Sequence, residues 1–313
     1  MPTATDHVPV LAEEVRELLA VEPGETVVDA TFGAGGHAAL LAADLKDKGR
    51  FVAIDRDPTV RPFFEGFRRR HGSLQTRFLR GEADVVLGQL AGNGFGADVV
   101  LMDLGVSSMQ IDRPERGFSY AVDAPLDMRM DPTAPFSAAH LVNESGERDL
   151  ATVFRRFGEE RYAKQIARAI VRRRRERPFE RTGELVETIR ASLPAPARFG
   201  EGHPAKRVFQ ALRIAVNDEL GSLERALPAA LALLRPGGRM AVISFHSLED
   251  RIVKRFLRDQ ERGCTCPPDF PICVCGREPV VRLLNRKAVR PSAREVSENP
   301  RAASARLRAA VKV

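Results

Sequence analysis

A glycine-rich turn and two carboxylates in the first third of the chain have the types and spacing of a nucleoside-binding site. In Gly33-Ala34-Gly35-Gly36 the missing Cβ atoms let the backbone turn sharply and let a ligand approach the main chain. Asp55 follows the turn by about 20 residues, where a carboxylate can accept hydrogen bonds from both hydroxyls of a ribose. Asp103 ends another apolar run. The structural alternative is a tight turn with surface aspartates.

The order of the glycines discriminates between nucleoside ligands. No Gly-Lys-Ser/Thr follows the turn, which excludes a P-loop. A dinucleotide site has the pattern G-x-G-x-x-G, which brings a pyrophosphate to a helix N-terminus. Here Gly36 follows Gly35 directly, and Asp29 precedes the turn. This order favours S-adenosylmethionine (SAM) over NAD, because SAM has an adenosine and an amino-acid end to hold but no phosphate.

The elements that must position these residues alternate between strand and helix. The β-rich and apolar runs predict strands, and the runs of helix formers between them predict helices. This alternation indicates a parallel sheet with helices on both faces. The predicted strands are 26–31, 51–54, 76–79, 97–102 and 239–245, and the helices nearest them are 38–45, 59–70 and 247–259.

A mostly helical block of roughly 100 residues interrupts this pattern, which suggests two domains. Residues 105–135 resemble a loop, residues 137–193 are helical in character, and a helical stretch over 206–234 is divided near Leu220-Gly221. Pro236-Gly237-Gly238 predicts a turn, after which the α/β pattern resumes. We therefore expect an α/β domain formed by residues 1–112 and 214–313, with residues 113–213 inserted into it.

Motifs spread over nearly the whole chain resemble those of the RsmH/MraW family of bacterial methyltransferases. They occur in the family's order. They are His7-Val8-Pro9-Val10-Leu11, Asp29-Ala30-Thr31-Phe32-Gly33-Ala34-Gly35-Gly36-His37, Asp103-Leu104-Gly105-Val106-Ser107-Ser108, Arg116-Gly117-Phe118-Ser119, Pro125-Leu126-Asp127-Met128-Arg129-Met130-Asp131, Arg213-Ile214-Ala215-Val216-Asn217-Asp218-Glu219-Leu220, Ser244-Phe245-His246-Ser247-Leu248-Glu249-Asp250-Arg251 and Asn299-Pro300-Arg301.

The resemblance implies a SAM-dependent methyltransferase that modifies N4 of a cytidine in the decoding region of 16S rRNA, in the small ribosomal subunit. It implies a Rossmann-like α/β fold in which the inserted helical domain recognises the substrate. Position by position, it implies that the cofactor site contains Gly33, Gly35, Gly36, His37, Asp55, Asp103 and Gln110. The family often has an aromatic residue shortly after the third strand, where this chain has Ala83, so another residue must pack on the adenine.

Asp103 is the candidate catalytic residue. The amino group of cytosine is a poor nucleophile, so an enzyme must align it with the methyl group and accept hydrogen bonds from its N–H groups. The chain has no Asp/Asn-Pro-Pro-aromatic loop to clamp the base after this strand. Asp103 contacts the cofactor, the base or both in this interpretation, and caps a turn in the alternative.

Two further groups have equally weighted interpretations. His246 either accepts the departing proton or contacts RNA, or it is satisfied in a packed turn. Asp127, Arg129 and Asp131 either form the rim of the substrate pocket or pair with one another in a structural loop.

Positive charge is concentrated in the inserted block. Residues 148–213 contain 17 Lys and Arg against 8 Asp and Glu, so their net charge is +9, while the whole chain has +7. This concentration suggests a surface for a polyanion, with a merely solvated helical face as an equally weighted alternative, and the family resemblance favours an RNA contact. With 19 aromatic residues and no Trp, recognition would depend on shape and phosphate contacts. The candidate RNA contacts are Arg168, Arg172, Arg173, Arg174, Arg175, Arg177 and Arg181.

The cysteines all lie within twelve residues, at positions 264, 266, 273 and 275. Zinc ligands are usually spaced C-x2-4-C, and C-x-C is tighter, so we expect reduced thiols and no metal, with zinc as the alternative. The position of the cysteines also argues against a disulfide framework spread over a secreted domain.

Composition excludes several classes of protein. With 43% apolar and 29% charged residues, the chain can build a core and is not predominantly disordered. Apolar runs are too short for a membrane helix, and residues 1–10 lack the pattern of a secretory signal, so we expect a cytoplasmic protein with no membrane partner. Two alternative functions are an NAD-dependent oxidoreductase and a non-catalytic RNA-binding factor. The oligomeric state, the proton acceptor and the stage of ribosome assembly stay open.

Overall fold

A computed structural model describes residues 9–46, 48–198, 203–264, 266, 270–272 and 274–313. His7, Val8 and Cys273, named above, lie outside these residues. The chain forms two compact units, one made of residues 1–105 and 220–313 and the other of residues 106–219. The functional domains expected from the sequence have limits at 112/113 and 213/214, and these limits stay a prediction. Within the described part of the chain, every helix is too short or too polar to cross a bilayer.

The secondary structure alternates in the first unit and is helical in the second. The strands are β1 Thr26–Asp29, β2 Arg50–Asp55, β3 Gln75–Arg80, β4 Ala97–Asp103, β5 Leu234–Ser244, β6 Val281–Leu283 and β7 Arg306–Lys312. The α-helices are α1 Ala12–Leu19, α2 Gly36–Asp44, α3 Arg61–Arg70, α4 Ala83–Gly92, α5 Ser108–Ile111, α6 Ala138–Glu144, α7 Glu147–Gly158, α8 Ala163–Arg173, α9 Thr182–Ser192, α10 Ala195–Arg198, α11 Lys206–Asn217, α12 Glu219–Leu233, α13 Ser247–Arg262 and α14 Ala293–Glu298.

A seven-stranded sheet with the order β3-β2-β1-β4-β5-β7-β6 forms the first unit. Strands β1 to β5 are parallel, whereas β7 runs antiparallel between β5 and β6. Because β2, β1 and β4 are neighbours and parallel, their carboxyl ends meet at one edge. Asp55, Asp29 and Asp103 are the last residues of these strands, so the sheet itself gathers three carboxylates at that edge.

Burial on both faces explains why the central strands form. Val27, Val28 and Val100 are fully buried, as expected for β-branched residues in a parallel sheet that helices cover. Val28 belongs to a continuous apolar cluster that includes Leu227 of α12 and Val242 of β5. This packing holds the strand ends in fixed positions.

The second unit has its own core. Leu150 and Phe154 of α7, Ile166 and Ile170 of α8, and Leu212 of α11 are fully buried in one cluster. Their spacing of four residues on α7 and on α8 places each pair on one helical face, which leaves the charged residues on the opposite face.

The α/β architecture with an inserted, mostly helical block is confirmed, and one local expectation is wrong. The expected division of the helical stretch near Leu220-Gly221 falls two residues earlier, at Asp218, which has a φ of 45°. Pro236-Gly237-Gly238 lies inside β5, where the pairing with β4 is irregular between Ala97 and Val99. The glycines there allow β5 to pair with β4 both before and after the irregular segment. The residues expected to form a turn before the strand are therefore part of the strand.

Candidate active site

The glycine-rich turn connects β1 to α2 and needs glycine at two positions. Gly33 and Gly35 have φ values of 54° and 79°, in the left-handed region that favours glycine. A Cβ on Gly35 would lie 2.8 Å from Cζ of Phe32. Phe32 in turn packs edge-on against Phe64 and Phe67 of α3. The turn is therefore held close to its own aromatic support, and its main chain stays accessible to a ligand.

Asp55 fastens this turn to the end of β2. Its Oδ2 accepts a hydrogen bond from the Gly33 N–H at 2.8 Å, and its Oδ1 accepts one from the Asp57 N–H at 2.9 Å. Burial raises the pKa of Asp55, and these two N–H groups oppose the rise. Each carboxylate oxygen has a second lone pair, so the group can still accept hydrogen bonds from ribose hydroxyls.

His37 bridges the main chain and Asp103. Its Nε2 lies 2.9 Å from the carbonyl oxygen of Val10 and its Nδ1 lies 3.4 Å from Asp103 Oδ2. A carbonyl and a carboxylate both accept, so the arrangement favours a proton on each ring nitrogen. Burial lowers the pKa of His37, but the hydrogen bond and charge of Asp103 and the charge of Asp29 more than offset it, so the pKa is raised.

Asp29, whose position before the turn favours SAM, is a third carboxylate of the site, although it is not among the cofactor-binding residues that the resemblance implies. It is 1% exposed, and its Oδ1 accepts a hydrogen bond from the Thr31 N–H at 3.0 Å. Thr31 Oγ1 accepts one from the Asp103 N–H at 2.6 Å, so Asp29 and Asp103 are linked through one residue. Burial raises the pKa of Asp29 to about 7. A lone aspartate ending the apolar run Val27-Val28 was the available signal.

Asp103 has an unused acceptor. Its Oδ1 is buried and has no hydrogen-bond partner among the residues that the structure describes. Buried carboxylate oxygens are nearly always hydrogen-bonded in folded proteins. An N–H or O–H group of a bound molecule would satisfy this oxygen, which makes Asp103 the side chain of this edge most directly aimed at a ligand.

The electrostatics of the edge favour a cationic ligand. Burial raises the pKa values of Asp29 and Asp55, neighbouring aspartates raise them further, and Asp103 and Asp29 raise the pKa of His37. A pyrophosphate would be repelled by these groups. A ligand with a sulfonium and an ammonium group would be attracted by them.

The remaining positions are Gln110, which the resemblance places in the cofactor site, and Ala83, which stands where the family often has an aromatic residue. Gln110 belongs to the second unit, where its Oε1 accepts a hydrogen bond from the Ser107 N–H at 3.2 Å, and its role toward a cofactor stays a prediction. Ala83 begins α4, directly after Glu82, which pairs with Arg56 at 3.0 Å. The residue that packs on an adenine is therefore still unassigned.

His246 caps a helix. It precedes α13, and its Nδ1 accepts a hydrogen bond from the Glu249 N–H at 3.3 Å. Glu249 Oε2 accepts from the N–H groups of Phe245 and His246 in return. This reciprocal arrangement caps α13 through Nδ1. His246 Nε2 lies 3.2 Å from Glu249 Oε1 but is buried without a hydrogen bond to a described residue, so both interpretations of His246 stay open.

The methionine-rich loop of the second unit pairs with itself. The Arg129 guanidinium donates to both carboxylate oxygens of Asp127, at 2.8 and 2.6 Å, and Asp131 Oδ1 accepts from Thr133. Asn217 holds the loop by accepting from the Met130 N–H and donating to the Met128 carbonyl. The structural interpretation of this loop is therefore favoured, and Asn217 is an anchor that sequence reasoning missed.

The seven candidate RNA-binding arginines divide into three groups by the contacts of their side chains. Arg174 donates to the carbonyl oxygens of Val142 and Ser145, and Arg173 lies over the ring of Phe179, so both contribute to packing. Ion pairs with acidic residues of the same unit engage Arg168, Arg177 and Arg181. Arg172 and Arg175 are exposed, and neither forms an ion pair with a described residue. These two are the best candidates for phosphate contacts.

Comparison with known proteins identifies a family. Residues 4–313 match the model of the MraW methylase family. The protein "Ribosomal RNA small subunit methyltransferase H" of Heliobacterium modesticaldum is 52% identical over 311 residues, covering 98% of each chain. The protein of the same name from Symbiobacterium thermophilum is 54% identical, covering 99% of this chain and 98% of its own. A solved rRNA methylase from Streptococcus thermophilus aligns over 100% of this chain and 99% of its own at a TM-score of 0.43 and 11% identity, which is too weak to inform the site.

Proposed function

Because the chain belongs to the MraW methylase family, we propose that it transfers the methyl group of SAM to N4 of a cytidine in the decoding region of 16S rRNA, within the small ribosomal subunit. The observation that carries this proposal is the acidic edge of the sheet beside the glycine-rich turn. There, Asp103 presents a buried carboxylate oxygen that has no hydrogen-bond partner among the described residues.

The residues at this edge fit SAM. Gly33, Gly35 and Gly36 leave the main chain of the turn open, and the carboxylates suit a ligand with positive charge. Asp55 would hold the ribose, and His37, Asp103 and Gln110 would complete the cofactor site. When bound, SAM supplies an electrophilic methyl group on a positively charged sulfur.

Asp103 acts on the substrate amino group in this proposal. The lone pair of a cytosine amino nitrogen is delocalised into the ring, so the nitrogen needs help as its positive charge develops. Asp103 Oδ1 accepts a hydrogen bond from that amino group, which orients the nitrogen and stabilises the developing charge. His37 keeps the other oxygen of Asp103 in place through Nδ1. The amino proton then leaves to Asp103 or to water.

The second unit binds RNA in this proposal. A base inside folded RNA must leave its stack before it can react, at a cost of a few kcal/mol. Phosphate contacts by exposed arginines, with Arg172 and Arg175 first among them, help to offset this cost. Such a protein would work in the cytoplasm on the small ribosomal subunit and would need no membrane.

Labelled SAM tests the proposal directly. Small subunits that lack the methyl mark are incubated with the full chain and SAM carrying a labelled methyl group. We expect the label in 16S rRNA, at N4 of one cytidine after nuclease digestion and mass spectrometry. Subunits that stay unlabelled, although the protein binds SAM, would contradict the proposed reaction.

The two alternative functions give different results in paired binding experiments. An NAD-dependent oxidoreductase would bind NAD and not SAM in calorimetry. A non-catalytic RNA-binding factor would bind small subunits and transfer no label.

A further inference from the structure

The segment between α13 and β6 is a loop closed at its base. The Val280 N–H donates to the Gln260 carbonyl oxygen at 2.9 Å. A Cβ on Gly263 would lie 2.5 Å from the carbonyl carbon of Glu278, so the two ends of the loop pass each other closely. The loop therefore begins at the end of α13 and returns to β6 through a narrow base.

This loop has no apolar core among its described residues. Phe270, Ile272 and Val274 are 52%, 74% and 73% exposed, and they are among the most exposed large apolar side chains described. Apolar residues that face solvent contribute little to holding a loop together. A stabilising contribution other than hydrophobic burial, such as a cross-link or a bound metal ion, must therefore hold this loop in its conformation.

Cysteine sulfurs converge inside the loop. Sγ of Cys264 and Sγ of Cys275 are 3.7 Å apart, and these two with Sγ of Cys266 all lie within 4.8 Å of one another. The three cysteines form no disulfide bond with one another. The Val274 N–H also donates to Sγ of Cys266 at 3.4 Å, which holds this sulfur in place.

We propose that Cys264, Cys266 and Cys275 bind a structural zinc ion. Zinc binds thiolates at about 2.3 Å, so two sulfurs on a tetrahedral zinc lie about 3.8 Å apart. The Cys264–Cys275 separation of 3.7 Å agrees with this value and is far longer than the roughly 2.05 Å of a disulfide bond. Each thiol releases its proton to solvent when its sulfur binds the metal. The sequence spacing C-x-C alone predicted reduced thiols, and the convergence of three sulfurs changes that interpretation.

The zinc would replace a hydrophobic core for this loop. It links Cys264 and Cys266, which follow α13, with Cys275, just before the loop returns toward β6. The linkage involves none of the residues proposed to bind SAM or the substrate, so it can be tested independently of the proposed function.

Metal content tests the proposal on the full chain. The purified protein is reduced, incubated with Zn²⁺ and dialysed, and its zinc is measured by mass spectrometry. We expect about one zinc ion per chain, and at least about a tenfold lower content in the triple variant C264S/C266S/C275S. The variant I272S places a serine in the same loop without touching a sulfur and should keep its zinc.

A second measurement does not depend on any variant. Co²⁺ added to the metal-free wild-type chain should give the sulfur-to-metal charge-transfer absorption of thiolate ligands and the intense visible bands of tetrahedral Co²⁺, both removed by Zn²⁺. A wild-type chain with no bound zinc after reconstitution, a Co²⁺ complex without thiolate absorption, or a triple variant that keeps its zinc would each overturn the proposal.

Discussion

At the scale of single residues, the proposed reaction depends on one buried oxygen of a partly exposed carboxylate. Asp103 ends β4, and His37 binds one of its oxygens, whereas the other has no partner among the described residues. A buried acceptor of this kind costs free energy in the absence of a ligand, about 1–3 kcal/mol. Its presence at the edge where α/β sheets bind ligands is why we place the reaction there.

Replacing Asp103 by asparagine should slow methyl transfer. The amide presents an N–H group or a neutral oxygen where the substrate amino group needs a charged acceptor, so the single-turnover rate should fall about 10²- to 10³-fold. D259N, the same change on the exposed face of α13, should leave the rate unchanged. A D103N protein that methylates small subunits at the full rate would mean that the site is misplaced.

Asp29 should make stability depend on pH. The folded protein keeps the Asp29 proton up to a pKa of about 7, whereas the unfolded chain releases it near 3.8, so the folded state holds more protons between these values. The free energy of unfolding of the wild type therefore falls as pH rises from about 4 to about 7.

The variant D29N cannot titrate at this position, so its free energy of unfolding does not show this fall with rising pH. Its stability relative to the wild type should rise with pH across that window, by about 4 kcal/mol at most. Denaturant unfolding at pH 5 and pH 8 measures the part of this rise above pH 5, about 3 kcal/mol at most, with D259N as the control. A difference between D29N and wild type that is the same at both pH values would show that Asp29 titrates normally.

At the scale of elements, the turn between β1 and α2 determines whether the site can form. Gly35 combines a φ of 79° with a close approach to the Phe32 ring, so an added methyl group meets both backbone strain and an aromatic ring held by α3. The turn is therefore sensitive to a single carbon atom.

The substitution G35A should cost about 1–3 kcal/mol of stability and weaken SAM binding. G88A is the matched control, because Gly88 lies inside α4 and its Cβ would meet no atom within 4 Å. G88A should stabilise the protein by about 0.5–1 kcal/mol and leave SAM binding unchanged. Equal SAM affinity in both variants, measured by calorimetry, would argue against a role for the turn in binding.

Elements with local sequence signals were predictable, and those that depend on distant partners were not. Strands β1, β2 and β4 are apolar runs that end in aspartate, so the sequence located both the strands and their acidic ends. The strand β7 inserts antiparallel between β5 and β6, and no local pattern specifies that order. The raised pKa of Asp29 and the convergence of the cysteine sulfurs likewise arise from burial and chain folding.

At the scale of the whole molecule, positive and negative charge are concentrated in different segments of the chain. Residues 148–213 of the helical unit have a net charge of +9, whereas Asp29, Asp55 and Asp103 gather at one edge of the sheet in the other unit. The basic segment can therefore attract a long polyanion, and the three aspartates can attract a small cationic cofactor.

The double variant R172E/R175E should weaken binding to small-subunit RNA without changing SAM affinity. Loss of two phosphate contacts lowers the magnitude of the slope of log K against log salt by about one to two. R286E/R290E makes the same charge change at exposed residues of the other unit and should have the smaller effect. Equal salt dependence for wild type and R172E/R175E would exclude this surface from RNA binding.

Calorimetry from pH 6 to pH 8 can test whether the acidic edge of the sheet binds SAM through its positively charged sulfur. The experiment compares the affinities of the protein for SAM and for its demethylated product. The acidic edge loses protons in this range, because the pKa of Asp29 is about 7, and a positively charged sulfur should then bind better. We predict that SAM affinity rises about tenfold across the range and that the product, whose sulfur is neutral, gains less. Tight binding of NAD without binding of SAM, or a SAM affinity that falls with rising pH, would show that the acidic edge does not bind SAM as proposed.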